Sequence, residues 1–244
     1  MKFANFLILI GFITAITSCK KAQLASVVAS NDDAAIIVGN TLAANNYGMN
    51  VLSTDISANE IALMTKNLAC GQSVTDSIIR KSSPGALASY YYKLKYTDLL
   101  TCNTSSQPDN LTNTLSYKGN FNGPRLTFTN SGTTNYKIAG LTPTATVHVF
   151  NGDYRASGSF KFKSDTTNRG NVSLMLIVKN LTISKATQTI TGGTATVIIT
   201  GTSTKKSAFT YNGTLNFNNA FSASLSLNGI DYIIDLITGE ISKK

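Results

Sequence analysis

FSASLSLN, residues 221–228, alternates without a break: Phe221, Ala223, Leu225 and Leu227 share one parity, and Ser222, Ser224, Ser226 and Asn228 the other. Successive side chains of a strand point to opposite faces, so this octet reads as a half-buried strand with an apolar face and a wet one. The same scheme recurs upstream. Tyr90, Tyr92, Leu94 and Tyr96 alternate with Lys93 and Lys95; Tyr154, Phe160 and Phe162 with Arg155, Lys161 and Lys163; Phe209, Tyr211, Leu215 and Phe217 with Thr210, Asn212, Thr214 and Asn216. From Pro84 onward the chain reads as strands punctuated by turn residues, with Asn130-Ser131-Gly132, Asn151-Gly152, Gly192-Gly193 and Asn228-Gly229 as hairpin candidates. The fold class predicted is mainly β: an antiparallel meander forming a curved sheet or a barrel-like domain.

One strand departs from the pattern. Leu174-Met175-Leu176-Ile177-Val178 is apolar on both parities and is expected to be central or covered on both faces. A weaker signal is the echo between Tyr117-Lys118-Gly119 and Tyr211-Asn212-Gly213, with Tyr154 to Gly158 as a stretched relative. Glycine at a fixed place after tyrosine suggests a bend where the sheet curls. A curled sheet of eight to eleven strands either closes or stays an open half-barrel.

The N-terminal part is different in kind. Ser30-Asn31-Asp32-Asp33 ahead of Ala34-Ala35-Ile36-Ile37-Val38 predicts a helix start with acids in its first turn, running to about Ala44. A second short helix is expected from Ser57 to Lys66, with Ile61 and Met64 on one face. Asn45-Asn46-Tyr47-Gly48 breaks the pattern between them.

Further upstream, Lys2 precedes the apolar run Phe6 to Ile13, which is too short to span a bilayer at roughly 20 residues per helix and reads as a secretory signal. Ile16, Thr17 and Ser18 then lead into Cys19. This stretch resembles the lipobox of bacterial lipoproteins, which implies that Cys19 is acylated and becomes the mature first residue. Ser18-Cys19-Lys20-Lys21 looks like lipoproteins of the Bacteroidota, in which acidic residues after the cysteine direct surface export. Lys20, Lys21, Ala22 and Gln23 supply none, so the resemblance implies the periplasmic side of the outer membrane, with the cell surface as the other placement. The expected organisation is therefore a signal peptide at 1–18, a lipidated tether at 19–29, a short helical region at 30–68 and an antiparallel β domain at 69–244.

With Cys19 committed to lipid, Cys70 and Cys102 form an even pair in an oxidising compartment and are expected to be disulfide-bonded. Neither has a Cys or His neighbour at ligand spacing, so no metal is expected there. The formal net charge of +9 is scattered along the chain rather than gathered into a basic run with interleaved aromatics, so nucleic acid is not an expected partner. A basic surface favours anionic glycan or lipid, and an envelope protein remains a candidate partner beside the membrane itself.

Catalytic constellations are sparse. His148 shares parity with Thr144 and Thr146 rather than with its flanking valines, which places it on the wet face. No Gly-x-Ser-x-Gly elbow is present. Asp231 and Asp235 share a strand parity, but four residues separate their α-carbons by about 13 Å, beyond the usual spacing of glycosidase carboxyls. Asp153, Asp165 and Glu240 sit by turn-like segments and read as turn-capping or solvated. Asn151-Gly152-Asp153 offers oxygen ligands, too few for calcium. No cofactor and no catalytic residue are expected. The leading functional expectation is a non-enzymatic binding or structural module. A lipid carrier whose concave aromatic face includes Tyr211, Phe217 and Phe221 comes second, and an exported hydrolase third. The helices at Ala22 to Leu68 discriminate between the first two: docked on the sheet they complete a core, displaced they leave a groove.

Overall fold

The computed structural model describes residues 31–66 and 68–244; the signal segment, Cys19 and the tether lie outside them. Two helices, α1 (Asn31–Leu42) and α2 (Met49–Thr65), are joined by a 3-10 turn at Ala44–Asn46. Eleven strands follow: β1 Ser73–Lys81, β2 Ser89–Cys102, β3 Pro108–Asn122, β4 Leu126–Ala139, β5 Val147–Phe162, β6 Arg169–Ser184, β7 Ile190–Ser203, β8 Lys206–Phe217, β9 Ser222–Leu227, β10 Ile230–Asp235 and β11 Ile241–Lys243. Each strand pairs antiparallel with its sequence neighbours, so spatial order equals chain order, and β1 and β11 do not pair with each other. The mainly β meander expected from the alternation is present, and it is an open sheet.

The helices occupy the concave side. Buried Ile37, Val38, Leu42, Leu52 and Ile56 belong to one core cluster with inward residues from β2 to β10, among them Leu94, Leu115, Phe150, Leu176, Val197, Leu225 and Ile234. Each such aliphatic or aromatic side chain contributes about 1.5–3 kcal/mol on leaving water. Polar contacts lock the docking. Asn31 donates to the Leu227 carbonyl, the Tyr232 hydroxyl donates to Asp32 at 2.7 Å, Asn168 donates to Asp33, and the amides of Ala44 and Asn45 bond the carbonyls of Leu236 and Ile237. The start of α1 therefore sits beside the β9–β10 and β5–β6 turns, while α2 runs on inside the sheet.

The first helix ends two residues before the expected Ala44. The second begins eight residues earlier than expected, right after Gly48, because Asn50, Ser53 and Ser57 point inward and conceal the helical periodicity that an apolar stripe would have given.

Three of the four hairpin candidates are not turns. Asn130-Ser131-Gly132 lies within β4, Asn151-Gly152 within β5 and Gly192-Gly193 within β7; Asn228-Gly229 does turn the chain between β9 and β10, with positive φ at both residues as a two-residue hairpin requires. Glycine inside these strands serves close approach instead. The Tyr92 side chain fills the space where a Gly119 Cβ would project, and the Tyr117 ring does the same at Gly132. Among the glycines of the tyrosine–glycine echo, Gly119 meets an aromatic side chain, whereas Gly158 and Gly213 meet the carbonyls of Thr129 and Ser226 on the neighbouring strands.

One further expectation is corrected. Phe221 precedes β9 at the β8–β9 turn and is 67% exposed, whereas Ala223, Leu225 and Leu227 are buried; the alternation extends one residue past the point where the sheet stops covering it. The apolar strand at Leu174 to Val178 is the sixth of the eleven, the central one of the two alternatives expected for it, and its outward face is open, with Ile177 38% exposed. Cys70 and Cys102 are bonded, with Cα atoms 5.5 Å apart, fastening the lead-in to edge strand β1 onto the end of β2.

Candidate functional site

Alternation along β2 puts Tyr92, Leu94, Tyr96, Asp98 and Leu100 on the same parity, so one carboxylate is carried into the apolar face. Asp98 is fully buried and is met from both sides: Asn113, directly opposite on β3, donates to Oδ1 at 2.6 Å, and Asn59 of α2 donates to Oδ2 at 3.0 Å. Burial raises its pKa, and the two amides pull in the opposite direction. One helical step further, Glu60 is also fully buried, and neither carboxyl oxygen has a hydrogen-bond partner. Burial first, and the Asp98 charge second, push its pKa up to about 9, so Glu60 is a neutral acid at pH 7. Two acids side by side in a low-dielectric site do not both ionise, and the one lacking donors keeps its proton.

On the same inner side, Ser57 of α2 lies 2.9 Å from Nδ1 of His148, and both residues are buried. The sequence reading placed His148 on the wet face. In fact the even positions of β5 all turn inward: His148, Phe150, Tyr154, Ala156, Phe160 and Phe162. Val147 and Val149 are the partly exposed parity near the strand start, where local comparison with the valines misleads. Burial, reinforced by Lys185, lowers the His148 pKa to about 4, so the imidazole is neutral. No carboxylate among the described residues hydrogen-bonds this ring, and Ser57 and His148 are absent from the lining of the cavity described next. The pair joins α2 to β5.

That cavity lies between α2 and the inner face of β1–β3 and holds about 310 Å³. Leu52, Ile56, Ile78, Leu94 and Leu115 make its apolar wall; Asn59, Asn113 and Tyr96 contribute polar edges. At its rim Arg80 of β1 and Asp55 of α2 form an ion pair at 2.9 Å, and the Tyr47 hydroxyl donates to the same Asp55 oxygen at 2.7 Å and accepts from Arg80 Nε at 3.2 Å. All the Arg80 contacts use Nε, leaving both terminal nitrogens of the guanidinium without a partner among the described residues. An apolar chamber with a fixed cation at its mouth can hold a small, mostly apolar group carrying negative charge.

The other acids take ordinary roles. Asp165 caps a turn through the Thr167 amide and pairs with Lys205. Asp153 lies inside β5 rather than at a turn and pairs with Arg155, and Asn151 accepts from the Asn180 amide, so neither is free for a cation. Glu240, at the β10–β11 turn, reaches Arg125 at 3.7 Å. Asp231 and Asp235 stand outward on β10 and do not form a facing pair. No cluster of metal-ligating side chains occurs among the described residues, and none of their helices is long and apolar enough to cross a membrane.

Arg80, Asp55, Tyr47, Asp98 and Glu60 were missed as a group by sequence reasoning. Asp98 was within reach, since it falls on the tyrosine and leucine parity of β2. Glu60 also had a signal, being spaced four residues after Ile56 and three before Leu63, a core spacing on a helix. Comparison with known proteins finds no matching family model, no matching curated protein and no matching solved structure.

Proposed function

We propose that this protein is an envelope lipoprotein, held at the outer membrane by acyl chains on Cys19 and facing the periplasm, whose β domain is a non-enzymatic binding module. The observation that carries the binding role is the cavity of about 310 Å³ beneath α2, apolar within and bordered by Arg80, whose two terminal guanidinium nitrogens have no partner among the described residues. Its ligand class is a compact apolar group bearing an anionic function, either a small molecule or the side chains of a peptide. Docking of both helices against the concave sheet supports this over the lipid-carrier alternative, since the helices take up the space that a long acyl chain would need. Burial of the Ser57 and His148 pair away from the cavity likewise favours binding over hydrolysis.

The chain contains no tryptophan, so Ala58→Trp, on the cavity wall, fills the space and installs a unique fluorophore. An anilinonaphthalene sulfonate, apolar and singly anionic, is the probe. The parent protein is expected to bind one equivalent with enhanced emission, and both Ala58→Trp and Arg80→Gln to weaken binding at least tenfold while unfolding remains cooperative. Equal binding by all three proteins would overturn the assignment of the site.

A further inference from the structure

The outward parity of β1–β3 carries a cluster of lysines, and facing cations recur at Lys161 and Arg169 on β5–β6. Lys93 and Lys118 stand directly opposite each other on adjacent strands, and both are exposed. Like charges directly opposite on a sheet are destabilising, and neither lysine has an ion pair among the described residues. The acids carried by these three strands do not compensate: Asp98 is buried, Asp76 accepts from the Tyr96 hydroxyl on the opposite parity, and Asp109 lies at the far end of β3 beside Asn110. Lys95 continues the same row, and Lys81 lies opposite Tyr91, so four cations share one acid-free surface.

Apolar groups are set among them. Ile79, opposite Lys93, is 55% exposed, Tyr91 is 40% exposed, and Leu87 at the β1–β2 turn is 89% exposed. A protruding leucine, an amphipathic tyrosine and a lysine field form the combination that suits a bilayer interface, where apolar groups enter the acyl boundary and cations meet anionic head groups. Position agrees. The first helix begins at Asn31, 12 residues after Cys19, and a tether of that length spans at most about 40 Å, so an acylated chain holds the domain within reach of the leaflet.

We infer that the outward face of β1–β3, with Leu87 at its leading edge, docks on an anionic lipid surface and sets the orientation of the domain on the membrane. In that orientation edge strand β1 lies against the head groups, while the cavity bordered by Arg80 is on the opposite face of the same strands. The inference rests on the membrane placement proposed above, and its test uses no acyl chain, so that the two fail separately.

The full mature chain carrying Cys19→Ala is sedimented with phosphatidylcholine vesicles prepared with or without phosphatidylglycerol, while palmitate incorporation at Cys19 in cells reports the anchor independently. Partition onto the anionic vesicles alone, declining with added salt, is expected. At about fivefold per lysine near such a surface, Lys93→Ala/Lys118→Ala is expected to weaken it about 25-fold. Leu87→Ser is expected to weaken vesicle binding while leaving any binding to soluble dextran sulfate unchanged. All three positions are exposed, and cooperative thermal unfolding with a midpoint no lower than the parent's verifies the fold. Equal partition onto both vesicle types, undiminished binding by the double variant, or insensitivity to Leu87→Ser with full competition by dextran sulfate would each overturn the inference; the last outcome would assign the face to a soluble polyanion.

Discussion

Replacing Glu60 with glutamine isolates the energetic cost of an acid held in the core without donors. An acid whose folded pKa lies above its unfolded value binds more protons in the folded state, so its contribution to stability is greatest below the unfolded pKa and declines as pH rises through the folded one. For Glu60 the window runs from the ordinary 4.5 up to about 9. His148 acts in the opposite direction: its pKa falls from 6.5 to about 4, so the folded state binds fewer protons and stability declines as pH drops through that interval. Each group contributes a slope of about 1.4 kcal/mol per pH unit. Between about pH 4.5 and 6.5 these two slopes cancel, and from 6.5 to 9 the Glu60 slope is no longer offset by His148 and removes about 3 kcal/mol. Glu60→Gln keeps the shape and removes the ionisation. At pH 7 it is expected to stabilise the protein by about 2–3 kcal/mol, a rise of about 5–10 °C in Tm for a domain of this size. Relative to the parent, its stability is expected to rise steadily from pH 4.5 to about 9 and to hold a constant difference beyond. Urea unfolding at a series of pH values gives both curves. Parallel profiles for the two proteins, or a glutamine variant less stable than the parent at pH 7, would refute the placement of a neutral Glu60 beside Asp98.

Other consequences are equally direct. Replacing both Cys70 and Cys102 with alanine is expected to cost about 3–4 kcal/mol by loop entropy, with the largest gain in amide exchange along β1, whose only strand partner is β2; uniform exchange across the sheet would contradict that assignment. Gly132→Ala sets a Cβ against the Arg155 carbonyl and the Tyr117 ring and is expected to destabilise by about 1–3 kcal/mol, whereas Gly229→Ala, where a Cβ meets nothing but φ is positive, is expected to cost about 1 kcal/mol. Chemical denaturation distinguishes the two, and a smaller loss at Gly132 would show that the aromatic cover is not close-packed.

The alternation of β2, β5, β8 and β9 was legible because each carries aromatics or leucines on one parity and Lys, Thr, Asn or Ser on the other, and a sheet covered on one side needs no more than that. Edge strand β1 was not. Its Thr75, Asp76 and Ser77 are all exposed, so no apolar face is written into that stretch and the strand signal starts only after Pro84. The inner half of the site was hidden for a related reason. Ser53, Ser57, Glu60, Asp98 and His148 are polar residues at core positions, and residue type argues against burial until the partner that satisfies or neutralises them is known. Those partners come from distant segments, as Ser57 with His148 and Asn59 with Asp98 illustrate. Hairpin glycines failed as signals because a positive φ and a close approach both demand glycine, and sequence does not tell which.

The meander has a bearing on how such a chain assembles when it is delivered N-terminus first. Every strand needs only the one before it, so the ladder grows hairpin by hairpin with short loop closures. The helices emerge before any strand, yet Asn31, Asp32 and Ala44 find their partners at Leu227, Tyr232 and Leu236, close to the last residues delivered. A ladder of local steps is thus completed by one of the longest closures available to the chain: the final short strands act as a latch, and until they arrive the inner helices wait on a sheet that is built but not yet fastened.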